Sequence, residues 1–154
     1  MTLAIATQDD IPALCDLLAI LFEQEAEFVP DRDKQSKGLS MLLENPQQGT
    51  ILVSRETDRI VGMVSLLYGI STALGSRVAT LEDMVVLPDY RRQGIGEALI
   101  QHAIRTATQA GCQRITLLTD ADNVVGQAFY RKQGFKASSM QPYRLTLSPP
   151  PGRF

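Results

Sequence analysis

The chain has no tryptophan, a single histidine (His102) and only two cysteines among its 154 residues. Each scarcity removes a class of chemistry. Cys15 and Cys112 lack the clustered spacing of a zinc site or a disulfide framework, so both read as buried, inert thiols, and no metal site is expected. His102 falls between apolar positions of a helical pattern and reads as an exposed side chain rather than a catalytic one. Excess positive charge is missing too. The formal net charge is −2, which argues against a protein that binds nucleic acid by neutralising phosphates. No apolar run approaches the roughly 18 residues needed to span a bilayer, and the N-terminus lacks a charged-then-apolar leader. The expectation is a cytoplasmic protein without a membrane or nucleic-acid partner.

What is present suits one compact domain with a real core. Hydrophobic residues make up 44% of the chain, and no linker or internal repeat divides it. The domain is read as residues 1–148. Residues 149–154 form a proline-rich tail expected to be frayed or extended. Leu3 to Ala6 is a plausible first strand. A helix capped by Thr7 or Asp9 follows, with Pro12 in its first turn and an apolar stripe of Leu14, Leu17, Leu18, Leu21 and Phe22. An acidic segment (Glu23, Glu25, Glu27, Asp31, Asp33) reads as solvated surface or as a collar for a cationic substrate. Lys34 to Glu44 has the spacing of a second helix. Thr50 to Ser54 and Ile60 to Leu67 read as strands joined by the polar turn Glu56-Thr57-Asp58-Arg59, and Gly69 to Ser76 reads as a mobile lip. Past the central region, Arg114 to Thr119 is a buried strand, and Lys136 to Ser139 with Tyr143 to Leu147 should close the sheet as a hairpin. The order β-α-α-β-β-β-α-β-α-β is that of an α/β fold.

The chemistry concentrates between Leu81 and Ile100. Met84 to Leu87 is a short apolar, β-branched run stopped by Pro88, which lacks an N–H for the ladder. Arg91-Arg92-Gln93-Gly94-Ile95-Gly96-Glu97 then sets two cations and two glycines ahead of a helix running to about Ala110. The first amides of a helix have no internal partner and carry the positive end of its dipole. Glycine lets a phosphate approach them, so the stretch is an anion cradle. It is neither a P-loop, since no Gly-x4-Gly-Lys-Ser/Thr occurs, nor a dinucleotide-fold turn, since the third glycine is missing.

Arg91, Gly94 and Gly96 resemble the Arg/Gln-x-x-Gly-x-Gly/Ala loop of the GCN5-related N-acetyltransferase (GNAT) superfamily. A second segment, Asp120 to Asn123 followed by Ala128-Phe129-Tyr130 and Gly134-Phe135, resembles that superfamily's other cofactor segment. Gly126 stands where the family often has alanine. On one helix, Asn123 and Tyr130, seven positions apart, would share a face. The resemblance implies a GNAT-like mixed sheet with strands splayed at the cofactor site and about four flanking helices. It implies acetyl-CoA as co-substrate, its pyrophosphate held at Arg91, Arg92, Gln93, Gly94, Ile95, Gly96 and Glu97. The backbone of Met84, Val85 and Val86 and the side chain of Asn123 would hold the pantetheine.

Acyl transfer to an amine also needs a proton acceptor, because at a pKa near 10.4 only about one alkylamine in a few thousand is neutral at pH 7. Glu82 and Asp83 are adjacent on a strand and should face opposite ways, so at most one can serve. Resemblance to the polyamine acetyltransferase branch, which also has Leu-Glu-Asp before this strand, implies Glu82, acting through water, with Asp83 as a structural acceptor. Tyr130, protonated at neutral pH, is the candidate acid for the departing thiolate. The implied function is N-acetyl transfer to a primary amine of a small-molecule, cationic acceptor. Alternatives are a protein or peptide acceptor and a non-catalytic acyl-CoA-binding module. An open sheet edge would also permit a homodimer.

Overall fold

The computed structural model describes residues 1–25 and 29–147. The tail from 149 onward and Glu27 of the acidic segment lie outside the described residues. Five strands form a single sheet in the order β1-β2-β3-β4-β5: β1 (Thr2–Ile5), β2 (Gly49–Glu56), β3 (Arg59–Ser71), β4 (Ser76–Val86) and β5 (Cys112–Leu117). The first four are antiparallel in succession, and β4 and β5 are parallel. Helices α1 (Ile11–Gln24) and α2 (Arg32–Leu43) precede β2, α3 (Ile95–Gln109) makes the crossover from β4 to β5, and α4 (Val124–Lys132) follows β5.

Both faces of the sheet are covered, which is why the middle strands are almost continuously apolar rather than alternating. Ile51, Val53, Met63 and Val85 meet Leu14, Leu17, Leu18 and Leu39 of α1 and α2 on one side. Leu52, Val64, Leu66 and Leu81 meet Ile95, Leu99, Ile100 and Ala103 of α3 on the other. Asp31 caps α2 by accepting from the Lys34 amide at 3.2 Å, and Arg55 pairs with the buried Asp10 at 2.8 Å to tie β2 to the start of α1.

Several expectations change. Gly69 to Ser76 is not a loose lip: β3 and β4 run together to a tight turn, with Gly75 at φ +62°, and Ser71 opposite Ser76. The central strand therefore starts at Ser76, well before Met84. No hairpin closes the sheet, because Lys136 to Leu147 carries no strand and is exposed throughout, with Tyr143 95% accessible. A strand needs an edge to pair with, and this segment joins none of the five strands of the sheet. Cys15 is buried, but Cys112 is only half-buried at the start of β5, and His102 is half-buried rather than exposed.

Candidate active site

The pairing of β4 with β5 stops early. Its register runs from Arg77–Cys112 to Leu81–Leu117, while β4 continues to Val86. From Glu82 onward β4 is bonded only to β3, so the edge toward β5 opens into a wedge. Main-chain donors and acceptors on that edge can receive an extended ligand as a further strand.

The basic turn lies at the head of this wedge. Pro88–Tyr90 makes a single 3-10 turn, Arg92 takes φ +63° and Gly94 φ +82°, and α3 begins at Ile95. Left-handed residues on either side of Gln93 can turn neighbouring amides into one concavity. The first bond into α3 is from Ala98 N to Gly94 O at 3.0 Å, and the amides from Arg92 to Glu97 find no acceptor among the described residues. Arg91 turns its Nε back onto the Val86 carbonyl at 2.9 Å, bracing the turn against the end of β4. Gln93 donates to the Asp89 carbonyl at 3.3 Å. Ile95 and Val85 point their side chains into the core, so each offers a ligand only its backbone. A Cβ at Gly96 would make only ordinary contacts, 3.4 Å from Met84 Cε and 3.6 Å from Phe129 Cζ, so a small residue fits there beside the cofactor turn without strain.

Asn123 is not on the face of a helix. It is the N-cap of α4, accepting from the Gly126 amide at 3.0 Å and donating to the Thr119 hydroxyl at 3.0 Å. This accounts for Gly126, since a Cβ at that position would collide with the Asn123 carboxamide. The shared helical face of Asn123 and Tyr130 is therefore corrected: a cap residue has left the helical path. Tyr130 itself sits between Phe129 and Phe135 in edge-to-face contacts, with centroids at 5.3 and 5.9 Å. Burial, followed by the nearby Glu25 carboxylate, raises its phenol above the ordinary value, so it stays protonated at neutral pH.

Glu82 and Asp83 do not face opposite sides as alternation would require. Glu82 pairs with Ser65 and Val85 with Met63, leaving Asp83 and Met84 opposite the single residue Val64. Asp83 absorbs this bulge at φ +55°, and both carboxylates line one cavity. Burial is the main force pushing the Asp83 carboxyl up to about 7, helped by the Glu82 and Glu25 charges and opposed by the Ser65 hydroxyl. Glu25 is raised in turn, by burial and then by Asp120 and Glu82. The end of α1 thus brings a third carboxylate beside β4 and Tyr130. Composition signalled only an acidic segment, so Glu25 was not singled out by the sequence. No group of three or more His, Cys, Asp or Glu side chains among the described residues is arranged to hold a metal.

A mixed sheet whose parallel pair parts beside a glycine turn, with carboxylates and a tyrosine at the opening, defines an acyltransferase fold. The chain belongs to the acetyltransferase (GNAT) family, whose model matches residues 11–135. It is similar to an aminoalkylphosphonate N-acetyltransferase of Salmonella typhimurium, 29% identical over 86% of this chain and 83% of that one. A glucosamine 6-phosphate N-acetyltransferase of Trypanosoma brucei brucei is 36% identical over 63% of this chain and 64% of its own. Among solved structures, a Trypanosoma brucei acetyltransferase superposes with a TM-score of 0.72 at 29% identity, covering 95% of this chain and 99% of that one. The protein is an acetyltransferase.

Proposed function

We propose that the protein transfers the acetyl group of acetyl-CoA to the primary amine of a small-molecule acceptor that is cationic before reaction. The observation that carries this reading is the run of amides from Arg92 to Glu97 without an acceptor, set beside the unpaired part of β4. The residues present fit the coenzyme: those amides suit a pyrophosphate, Arg91 and Arg92 add charge, and the edge at Met84 to Val86 suits the pantetheine amides. Asn123 keeps one amide N–H and one oxygen lone pair beyond its bonds to Thr119 and Gly126, so it can bind the pantetheine without leaving its cap. When bound, acetyl-CoA supplies the activated acyl group as a thioester.

The chain's own residues do the rest. Glu82, Asp83 and Glu25 draw the ammonium form of the acceptor to the mouth of the cavity. Glu82 and Asp83 act as a coupled pair that takes the ammonium proton, and the Asp83 value of about 7 suits a base at neutral pH. A main-chain amide of the Met84 to Val86 edge donates to the carbonyl oxygen that gains charge, an effect worth roughly 2.7–4 kcal/mol per well-placed donor. Tyr130 gives its proton to the departing thiolate, whose own pKa is about 8.5.

Calorimetric titration with acetyl-CoA, followed by free-thiol detection with a panel of amines, tests the reading. Binding with micromolar affinity and amine-dependent thiol release are expected. Absence of both heat and thermal shift would sink it.

The proposed partner, besides the acceptor, is a second copy of the chain. The segment Lys136 to Leu147 is exposed, with Tyr143, Leu145 and Leu147 at alternate positions, and among the described residues β5 carries no strand on its outer edge. An exposed apolar arm and an open sheet edge on one chain can meet those of a second copy across a two-fold axis.

A further inference from the structure

Next to Glu82 and Asp83, α1, α2 and the inner strands border an open cavity of about 420 Å³, within the roughly 300–1,000 Å³ typical of a site for one small molecule. Its wall is chiefly Leu18, Phe22, Leu39, Leu42 and Leu67. One feature shows that this space is not merely loose core. Gln35 lines it while only 8% exposed, and its side-chain Nε2 has no hydrogen-bond partner among the described residues. A buried amide with an open hydrogen-bonding position is costly unless something supplies the partner. Gly38 lines it at the exposed rim, where an added Cβ would meet nothing within 4 Å, so a larger side chain there can reach over the mouth.

We propose that this cavity receives the body of the acceptor, and that the acceptor is a monoamine on a bulky apolar frame carrying one hydrogen-bond-accepting oxygen, which Gln35 binds. The inference rests on the N-acetyltransferase reading and names its substrate class. The amine lies toward Glu82 and Asp83, the frame lies against the leucines, and the oxygen fills the open position of Gln35. A hydroxyl-rich sugar would leave its hydroxyls unpaired against Leu18, Leu39 and Leu67, and a polyamine would bury a second ammonium there. Lys34 is the one cation among the described lining residues, so a phosphate or phosphonate would be set near two carboxylates with little to offset them.

The test compares kcat/KM by thiol release for phenylalaninamide, glycinamide, phenethylamine, spermidine, glucosamine 6-phosphate and 2-aminoethylphosphonate. Phenylalaninamide is expected to lead the polar amines by about tenfold or more, the discrimination available to an apolar pocket. Gly38→Leu should cut phenylalaninamide about tenfold more than glycinamide, with Gly38→Ala as a milder version should the larger side chain impair folding. Gln35→Met should cut phenylalaninamide more than phenethylamine. Calorimetric titration of phenylalaninamide into the CoA-saturated protein reads the cavity without turnover. Binding abolished by Gly38→Leu upholds the inference even if no acetyl group moves, an outcome that sinks only the transferase reading. Preference for spermidine or either phosphorus-containing amine, or indifference to both Gly38 variants, overturns the inference and leaves the transferase reading standing.

Discussion

Asp83 shows how far one backbone angle can change a side chain's chemistry. At φ +55° it leaves the alternation of β4, turns inward beside Glu82, and loses most of its water. Its folded pKa, about 7, lies above the ordinary carboxylate value of 3.8. The folded state therefore holds this proton more tightly than the unfolded chain does. Stability falls as pH rises between those values, and the full cost is present above the upper one. Asp83→Asn should match the parent near pH 4 and exceed it at pH 8 by roughly 1–3 kcal/mol, read from urea unfolding at the two pH values. An unchanged difference would mean that Asp83 is not desolvated. At Tyr130, replacement by phenylalanine keeps the ring contacts with Phe129 and Phe135 and removes only the proton. Turnover should drop by about 10²-fold or more while coenzyme affinity, measured by calorimetry, stays within about twofold of the parent. Equal turnover at every pH would remove Tyr130 from the acid role.

At the scale of elements, the ends of α3 and α4 do most of the work. Helix propensity alone says that Gly126→Ala should stabilise α4 by about 1 kcal/mol. The structure reverses this expectation, because the new methyl group would displace the Asn123 carboxamide from the cap, and a lost N-cap costs about 1 kcal/mol before any strain is counted. The melting temperature of Gly126→Ala should therefore fall or stay level, and a clear rise would show that the cap is dispensable. Gly94 presents the other case. Its φ of +82° starts α3 in a conformation a β-carbon resists, so Gly94→Val should cost about 1–2 kcal/mol and weaken acetyl-CoA binding about tenfold or more by turning the open amides. Unaltered binding in a folded Gly94→Val protein would place the pyrophosphate elsewhere.

For the whole molecule, the exposed apolar arm and the open β5 edge predict a dimer. Light scattering should give twice the chain mass at micromolar concentration, and a chain ending after Ser139 should give the monomer mass with its core intact by circular dichroism. A monomeric full chain would remove the second copy from the proposal. The fold class, the four helices and the loop from Arg91 to Gly96 were legible because each follows from local spacing: apolar residues at helical intervals, a proline that ends a strand, glycines before a helix. The final hairpin was misread for a related reason. Tyr143 to Leu147 has strand period, but period does not say which edge, on which molecule, will supply the ladder.

By itself the sequence determined the α/β order of elements and the place of the basic glycine turn, because these depend on residues close together in the chain, while the candidacy of Glu82 and Tyr130 followed from the family resemblance of their motifs. Only the tertiary structure decided that β4 parts from β5 after Leu81, that a bulge brings Asp83 to the same side as Glu82, that Glu25 joins them from the end of α1, and that Gln35 and Gly38 border an unfilled cavity. Those facts depend on strand register and helix packing, set by contacts between residues far apart in sequence, and no local pattern encodes them.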